Sequence, residues 1–130
     1  MRVLLIDDDA LVRLTLLDTL AAEGIEVDGL ANAEDAVVLL GAGQVPDVLV
    51  ADIDLGPGLS GLDLAAIALE RHPAVEVVLI SGTSPAPGLL GRRERFLRKP
   101  FPPAALAQAI RGAASAAAAR AAAWSGEGHR

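Results

Sequence analysis

Two apolar patterns alternate along this chain, and the alternation constrains its fold more than any other feature. Short runs rich in Val, Ile and Leu occur at Arg2 to Ile6, Val48 to Ala51 and Val75 to Ile80, and Ile25 to Leu30 and Arg95 to Arg98 read as two further short strands. Continuous short apolar runs suit strands buried on both faces. Longer stretches with helical spacing separate them. Ala10 to Glu23 carries Leu11, Leu14, Thr15, Leu17 and Leu20, and Gly24 ends it. Asn32 is the expected N-cap of a helix through Leu40, and Ser60 with Asp63 makes a capping-box-like start for a helix to Arg71. Pro102-Pro103 opens an Ala-rich helix whose inner stripe is Leu106, Ala109, Ile110 and Ala113. Ser81 to Leu90 breaks the rhythm, because Gly82, Pro85, Pro87 and Gly88 make it a poor helix sequence. The order β-α-β-α-β-α-β-loop-β-α implies a parallel sheet with helices on both faces. Ligands of such sheets bind at the carboxyl ends of the strands, near the switch in strand order.

Composition narrows the function. A chain of 130 residues is one domain by size, and its 52% hydrophobic content argues against disorder. Aromatic residues are limited to Phe96, Phe101 and Trp124, so the core must be aliphatic. The absence of cysteine excludes disulfides and thiolate metal sites. A net charge of −6 argues against nucleic acid and anionic membranes as partners. No apolar run approaches the roughly 18 residues of a membrane span, and a cytoplasmic location is expected. Ten arginines accompany a single lysine, Lys99. An ammonium on a flexible stem does what a planar guanidinium cannot, so position 99 is a candidate for function.

The expected strand ends carry the chemistry. Asp7, Asp8 and Asp9 follow the first strand, Asp52 and Asp54 the third, Ser81 and Gly82 the fourth, Lys99 and Pro100 the fifth. Carboxylates gathered this closely repel by roughly 4 kcal/mol per pair at 4 Å and an effective dielectric of 20, so they call for a cation. Hard oxygen ligands without His or Cys suit Mg²⁺. A carboxylate can attack phosphorus, and phosphoryl transfer chiefly needs charge neutralisation on the moving oxygens. Mg²⁺, Lys99 and the Ser81 hydroxyl can supply it, with Gly82 leaving room for a phosphoryl group. Taken one at a time, Asp7 and Asp8 also suit a helix start, Asp9 an N-cap, and Phe96 plain core.

Four segments together resemble the receiver domain of two-component response regulators: Leu4-Leu5-Ile6-Asp7-Asp8-Asp9, Pro46-Asp47-Val48-Leu49-Val50-Ala51-Asp52, Val78-Leu79-Ile80-Ser81-Gly82 and Phe96-Leu97-Arg98-Lys99-Pro100-Phe101. The resemblance covers residues 2 to 115. It implies a three-layer α-β-α sandwich of flavodoxin-like (βα)5 type with a five-stranded parallel sheet, here with a shortened or missing fourth helix. It implies that Asp52 is the phosphoacceptor and that Asp7, Asp8, Asp52 and the backbone carbonyl of Asp54 hold Mg²⁺. Ser81 and Lys99 would contact the phosphoryl group, Ser81 and Phe96 would form the switch, and the Lys99-Pro100 bond would be cis. The implied donor is a sensor histidine kinase or a histidine phosphotransfer protein, and output passes through an unidentified protein partner or a phosphorelay. Such a chain is a signalling domain with intrinsic autophosphorylation and autodephosphorylation, not an enzyme in the ordinary sense.

The expected layout is a stand-alone receiver at 1–116 and a helical extension and tail at 117–130, frayed from Trp124, in a monomer or homodimer. Three features depart from the family pattern. The segment between Ser81 and Lys99 is short, the loop Leu55 to Gly61 is one residue longer than in the commonest receiver form, and Asp54 places a carboxylate two residues past the acceptor. Arg92, Arg93, Arg95 and Arg98 read as a solvated basic segment or a docking patch. Two other functions compete. Asp52-Ile53-Asp54 resembles the nucleophile motif of haloacid dehalogenase-type phosphatases, Mg²⁺-dependent phosphohydrolases, although their acidic pair follows the lysine. A pseudo-receiver that binds without being phosphorylated is the other.

Overall fold

The computed structural model describes residues 1–88 and 90–128. Five strands, β1 (Val3–Ile6), β2 (Val27–Leu30), β3 (Val48–Asp52), β4 (Glu76–Ser81) and β5 (Glu94–Arg98), form one sheet. All four strand pairings are parallel, in the order β2-β1-β3-β4-β5. The helices are α1 (Ala10–Ala22), α2 (Ala33–Gly41), α3 (Gly61–Arg71) and α4 (Pro103–Gly128). Among the described residues no helix lies between β4 and β5, so the fourth helix of a (βα)5 chain is missing rather than short. None of the helices is long and apolar enough to cross a membrane, among the described residues.

The pleat divides the core in two. Leu4, Ile6, Leu49, Ala51, Val77 and Leu79 face α2 and α3, where Ala36, Leu40, Leu64 and Ala68 meet them. Val3, Leu5, Val48, Val50, Val78 and Ile80 face α1 and α4, where Leu20, Leu106, Ala107, Ile110 and Ala113 meet them. Strands β1, β3 and β4 are buried along their whole length, as continuous apolar runs require. The expected stripe of α4 holds. That of α1 holds only in part, since Leu11 and Leu14 are 75% and 58% exposed and Leu20 alone is buried.

Local signals placed the helix starts. Asp9 accepts from Val12 N, Asn32 from Asp35 N, and Ser60 and Asp63 form a reciprocal capping box. At the far end, α4 continues through Gly128, where a frayed tail was expected from Trp124; His129 and Arg130 lie outside the described residues. Arg120, within that extension, pairs with the fully buried Glu76 at the start of β4, and Arg95 of β5 holds the same carboxylate at 2.6 Å.

Candidate functional site

Strand register brings the chemical residues together. Ile6 pairs with Ala51, Asp52 with Ile80, and Ser81 with Arg98. Asp7 and Lys99 each follow one residue beyond these pairs, so Asp7, Asp52, Ser81 and Lys99 share the carboxyl edge of β1, β3, β4 and β5. The order of strands reverses between β1 and β3, and the crevice there is where such sheets bind ligands. Asp52 and Ser81 are the last residues of β3 and β4, not the first of the following loops as expected.

Asp7 and Ser81 are fully buried and Asp52 is 6% exposed. The Lys99 ammonium donates to Asp52 Oδ2 at 2.7 Å and to Asp7 Oδ2 at 2.9 Å. Burial pulls the Lys99 pKa down, but its hydrogen bonds to Asp52 and Asp7 and their negative charge outweigh it, and the net shift is upward. Asp7 Oδ1 accepts from Asp9 N at 3.0 Å, and Asp52 Oδ1 accepts from Asp54 N at 2.8 Å. Asp8 is exposed at the mouth. One oxygen from each of Asp7, Asp8 and Asp52 lies within 4.8 Å of the others, and all are hard carboxylate donors; this set fits Mg²⁺. The Lys99-Pro100 peptide bond is cis.

Two glycines bear on the site. At Gly61 a Cβ would stand 2.1 Å from the Asp52 carbonyl oxygen, so only glycine lets the first turn of α3 pack on the end of β3. At Gly82 a Cβ would make ordinary contact with the Lys99 stem at 3.6 Å. The long loop after β3 turns at Gly56 and Gly58, both at positive φ, and is strapped by Glu34 of α2, which accepts from Leu59 N at 2.8 Å. That hydrogen bond holds the Glu34 carboxyl below its ordinary pKa.

Sequence reasoning missed the surroundings of Asp54. Its side chain, exposed at the rim, accepts from Ser81 Oγ and Thr83 Oγ1, each at 2.8 Å, and from Ser84 Oγ. The hydroxyls of Ser84, Ser81 and Thr83 hold its pKa down at about 2. The cluster of hydroxyl residues in Ser81-Gly82-Thr83-Ser84 was the available signal. Also missed was Arg13, whose Nη1 donates to the Asp7 carbonyl at 2.7 Å.

Three of the four arginines near β5, Arg93, Arg95 and Arg98, are engaged with the fold, while Arg92 is exposed. Arg93 donates to the carbonyls of Leu69, His72 and Pro73 at the end of α3. Arg95 holds Glu76. Arg98 donates to the Ser84 carbonyl and stands 5.0 Å from the centre of the half-buried Phe96 ring, which packs on the α2/α3 side of the core.

Sequence and fold both resemble those of known proteins. The sequence model of the response regulator receiver domain matches residues 3–111. The C4-dicarboxylate transport transcriptional regulatory protein DctD of Pseudomonas aeruginosa is 36% identical over 117 residues, 85% of this chain and 24% of that protein. Protein-glutamate methylesterase/protein-glutamine glutaminase 5 of Anaeromyxobacter dehalogenans is 42% identical over 86 residues, 65% of this chain and 23% of that protein. The chain thus spans about a quarter of the length of these curated relatives. A response regulator receiver protein from Sinorhizobium medicae superposes with a TM-score of 0.81 at 29% identity, over 90% of this chain and 96% of the other.

Proposed function

This chain belongs to the response regulator receiver domain family, and from that premise we propose that Asp52 is the residue that accepts the phosphoryl group. It is a phosphoacceptor signalling domain of two-component systems. The observation that carries the assignment of Asp52 is the ammonium of the sole lysine, which joins it to Asp7, both acids being buried. A buried carboxylate already facing a cation is set to carry further negative charge.

One carboxylate oxygen of Asp52 attacks phosphorus in line while the P–N bond of a phosphohistidine breaks, and the imidazole leaves with the bonding pair. Lys99 neutralises the phosphoryl oxygens and Ser81 donates a hydrogen bond to one of them. Asp7, Asp8, Asp52 and the Asp54 carbonyl would hold Mg²⁺, which when bound supplies further neutralising charge. Water attack on the acyl phosphate returns the resting carboxylate, so autophosphorylation from small donors and autodephosphorylation belong to the same proposal.

The donor is a histidine-bearing kinase or phosphotransfer protein, met in the cytoplasm where ATP forms its phosphohistidine. An apolar groove lined by Val12, Leu16, Pro100 and Phe101 opens beside Lys99, and Leu11 and Leu14 stand exposed on α1. A partner helix docked there would present its imidazole to Asp52. The functional unit is taken as residues 1–116, with 117–128 an extension anchored through Arg120. A haloacid dehalogenase-type phosphohydrolase is not favoured, since the matching family is the receiver.

Intact mass after incubation with Mg²⁺ and acetyl phosphate tests the proposal. The wild type is expected to gain one phosphoryl group and lose it with time, while Asp52→Asn stays unmodified and folded. Labelled Asp52→Asn would overturn the acceptor assignment. Release of inorganic phosphate with no adduct would point to a phosphohydrolase, and neither adduct nor release to a pseudo-receiver.

A further inference from the structure

Chemistry at Asp52 makes no use of the Asp54 side chain, yet three hydroxyls converge on it. The Ser81 hydroxyl has one proton to donate. It gives that proton to Asp54 Oδ2 at 2.8 Å, while its oxygen accepts from Ser84 N at 2.9 Å and Thr83 N at 3.2 Å. To donate to a phosphoryl oxygen on Asp52, Ser81 must let go of Asp54. Resting on the reading of Asp52 as acceptor, we propose that Asp54 is a positioning residue: its carboxylate latches Ser81, Thr83 and Ser84 in the resting arrangement and competes with the phosphoryl group for the Ser81 proton.

Two further observations give the latch consequences. Among the described residues, none from Gly82 to Gly88 takes part in a backbone–backbone hydrogen bond outside the helices and strands, and none of them lies in either. Side-chain bonds therefore hold this loop where a helix would hold itself. Next, Ser84 is gripped from both sides: its hydroxyl donates to Asp54, and its carbonyl accepts from Arg98, whose guanidinium covers the Phe96 ring. Releasing Asp54 thus frees Ser84, and freeing Ser84 loosens the cover on Phe96.

Electrostatics drives the exchange in one direction. A phosphoryl group adds about 1.5 to 2 negative charges in place of one, and Asp54 sits against Asp52, with its own amide on Asp52 Oδ1 at 2.8 Å. Repulsion pushes the Asp54 carboxylate out as attraction draws Ser81 in. The resting state is held by bonds to a charged acceptor, so removing that acceptor should shift the resting equilibrium toward the phosphorylated arrangement by roughly tenfold.

Backbone amide spectra of the full chain test this, alongside intact mass on the same samples. In unphosphorylated Asp54→Ala, the Phe96 and Arg98 resonances are expected to move along the line joining the resting and phosphorylated positions of the wild type. Ser84→Ala, which cuts one latch bond and keeps Asp54, should move them the same way by less. Asp54→Asn, which retains one acceptor oxygen, should fall between Asp54→Ala and the wild type. Resonances that stay at their resting positions, or leave that line, while the wild type gains its phosphoryl group overturn the latch alone. A wild type that gains no mass overturns the acceptor assignment and the competition with it.

Discussion

Replacing Lys99 by Met keeps the stem and removes the charge that joins Asp7 to Asp52. The ammonium lies 2.9 Å from one carboxylate and 2.7 Å from the other, and both acids are almost wholly buried. Without it, oxygens of these two carboxylates within 4.8 Å of each other repel by roughly 3.5 kcal/mol at an effective dielectric of 20. Deleting one partner of a fully buried ion pair costs about 3–5 kcal/mol. The Lys99 side chain is 22% exposed, so water screens part of the remaining repulsion, and we expect a loss of about 2–3 kcal/mol. In a domain of this size that lowers Tm by about 6–10 °C. Thermal melting followed by circular dichroism, with EDTA and with Mg²⁺, measures it. Since the acids lose their own cation, Mg²⁺ should restore more stability to Lys99→Met than it adds to the wild type. Lys99→Arg keeps the charge, so its Tm loss should be smaller while its response to phosphorylation is impaired. An unchanged Tm together with an unchanged response to Mg²⁺ would refute the view that Lys99 neutralises this pair.

Other positions give independent checks. Gly61→Ala puts a Cβ 2.1 Å from the Asp52 carbonyl oxygen; displacing α3 should cost about 3 kcal/mol and slow phosphorylation, measured by chemical denaturation and intact mass. Glu76→Ala strands Arg95 and Arg120, whose side chains are 31% and 39% exposed; it should cost about 2–3 kcal/mol and speed hydrogen exchange over Ala117 to Ala123 without abolishing the adduct. The acid response of the loop follows from Asp54, whose pKa is lowered to about 2. A depressed carboxyl stabilises the fold above its unfolded pKa, about 3.9, and that contribution fades only as pH falls toward the folded value. The Thr83 and Ser84 amide shifts should therefore hold steady down to about pH 4; a transition centred near that pH would show that the hydroxyls do not hold Asp54.

Much of the architecture was legible because its causes are local. Apolar runs announce β1, β3 and β4, since a strand covered on both faces offers few polar positions, here only the strand-end residues Asp52, Glu76 and Ser81. Asp9, Asn32 and the Ser60–Asp63 pair mark helix starts, since each satisfies amides within three residues of itself. The site was legible in outline for a related reason. Strand ends in a parallel sheet point to one edge, so acids, a hydroxyl and a lysine after successive strands must meet once the topology is known. The lone lysine carried real information: it is the cation that bridges Asp7 and Asp52.

By itself, then, the sequence determined the alternation of elements, the parallel sheet and the residue types gathered at its carboxyl edge. Tertiary structure alone decided how the remaining side chains are used. Asp54 lies 27 residues from Ser81 and 30 from Ser84 along the chain, and no periodicity links them. The arginines around β5 look like a charged surface, yet Arg93, Arg95 and Arg98 cap α3, neutralise Glu76 and grip the loop. Whether α1 buries Leu14 or leaves it in solvent depends on how that helix is rotated against the sheet. These outcomes rest on contacts between segments distant in sequence, whose partners exist only after the sheet has formed. Helical period, capping and strand pattern act over a few residues, and they reach no further than the elements themselves.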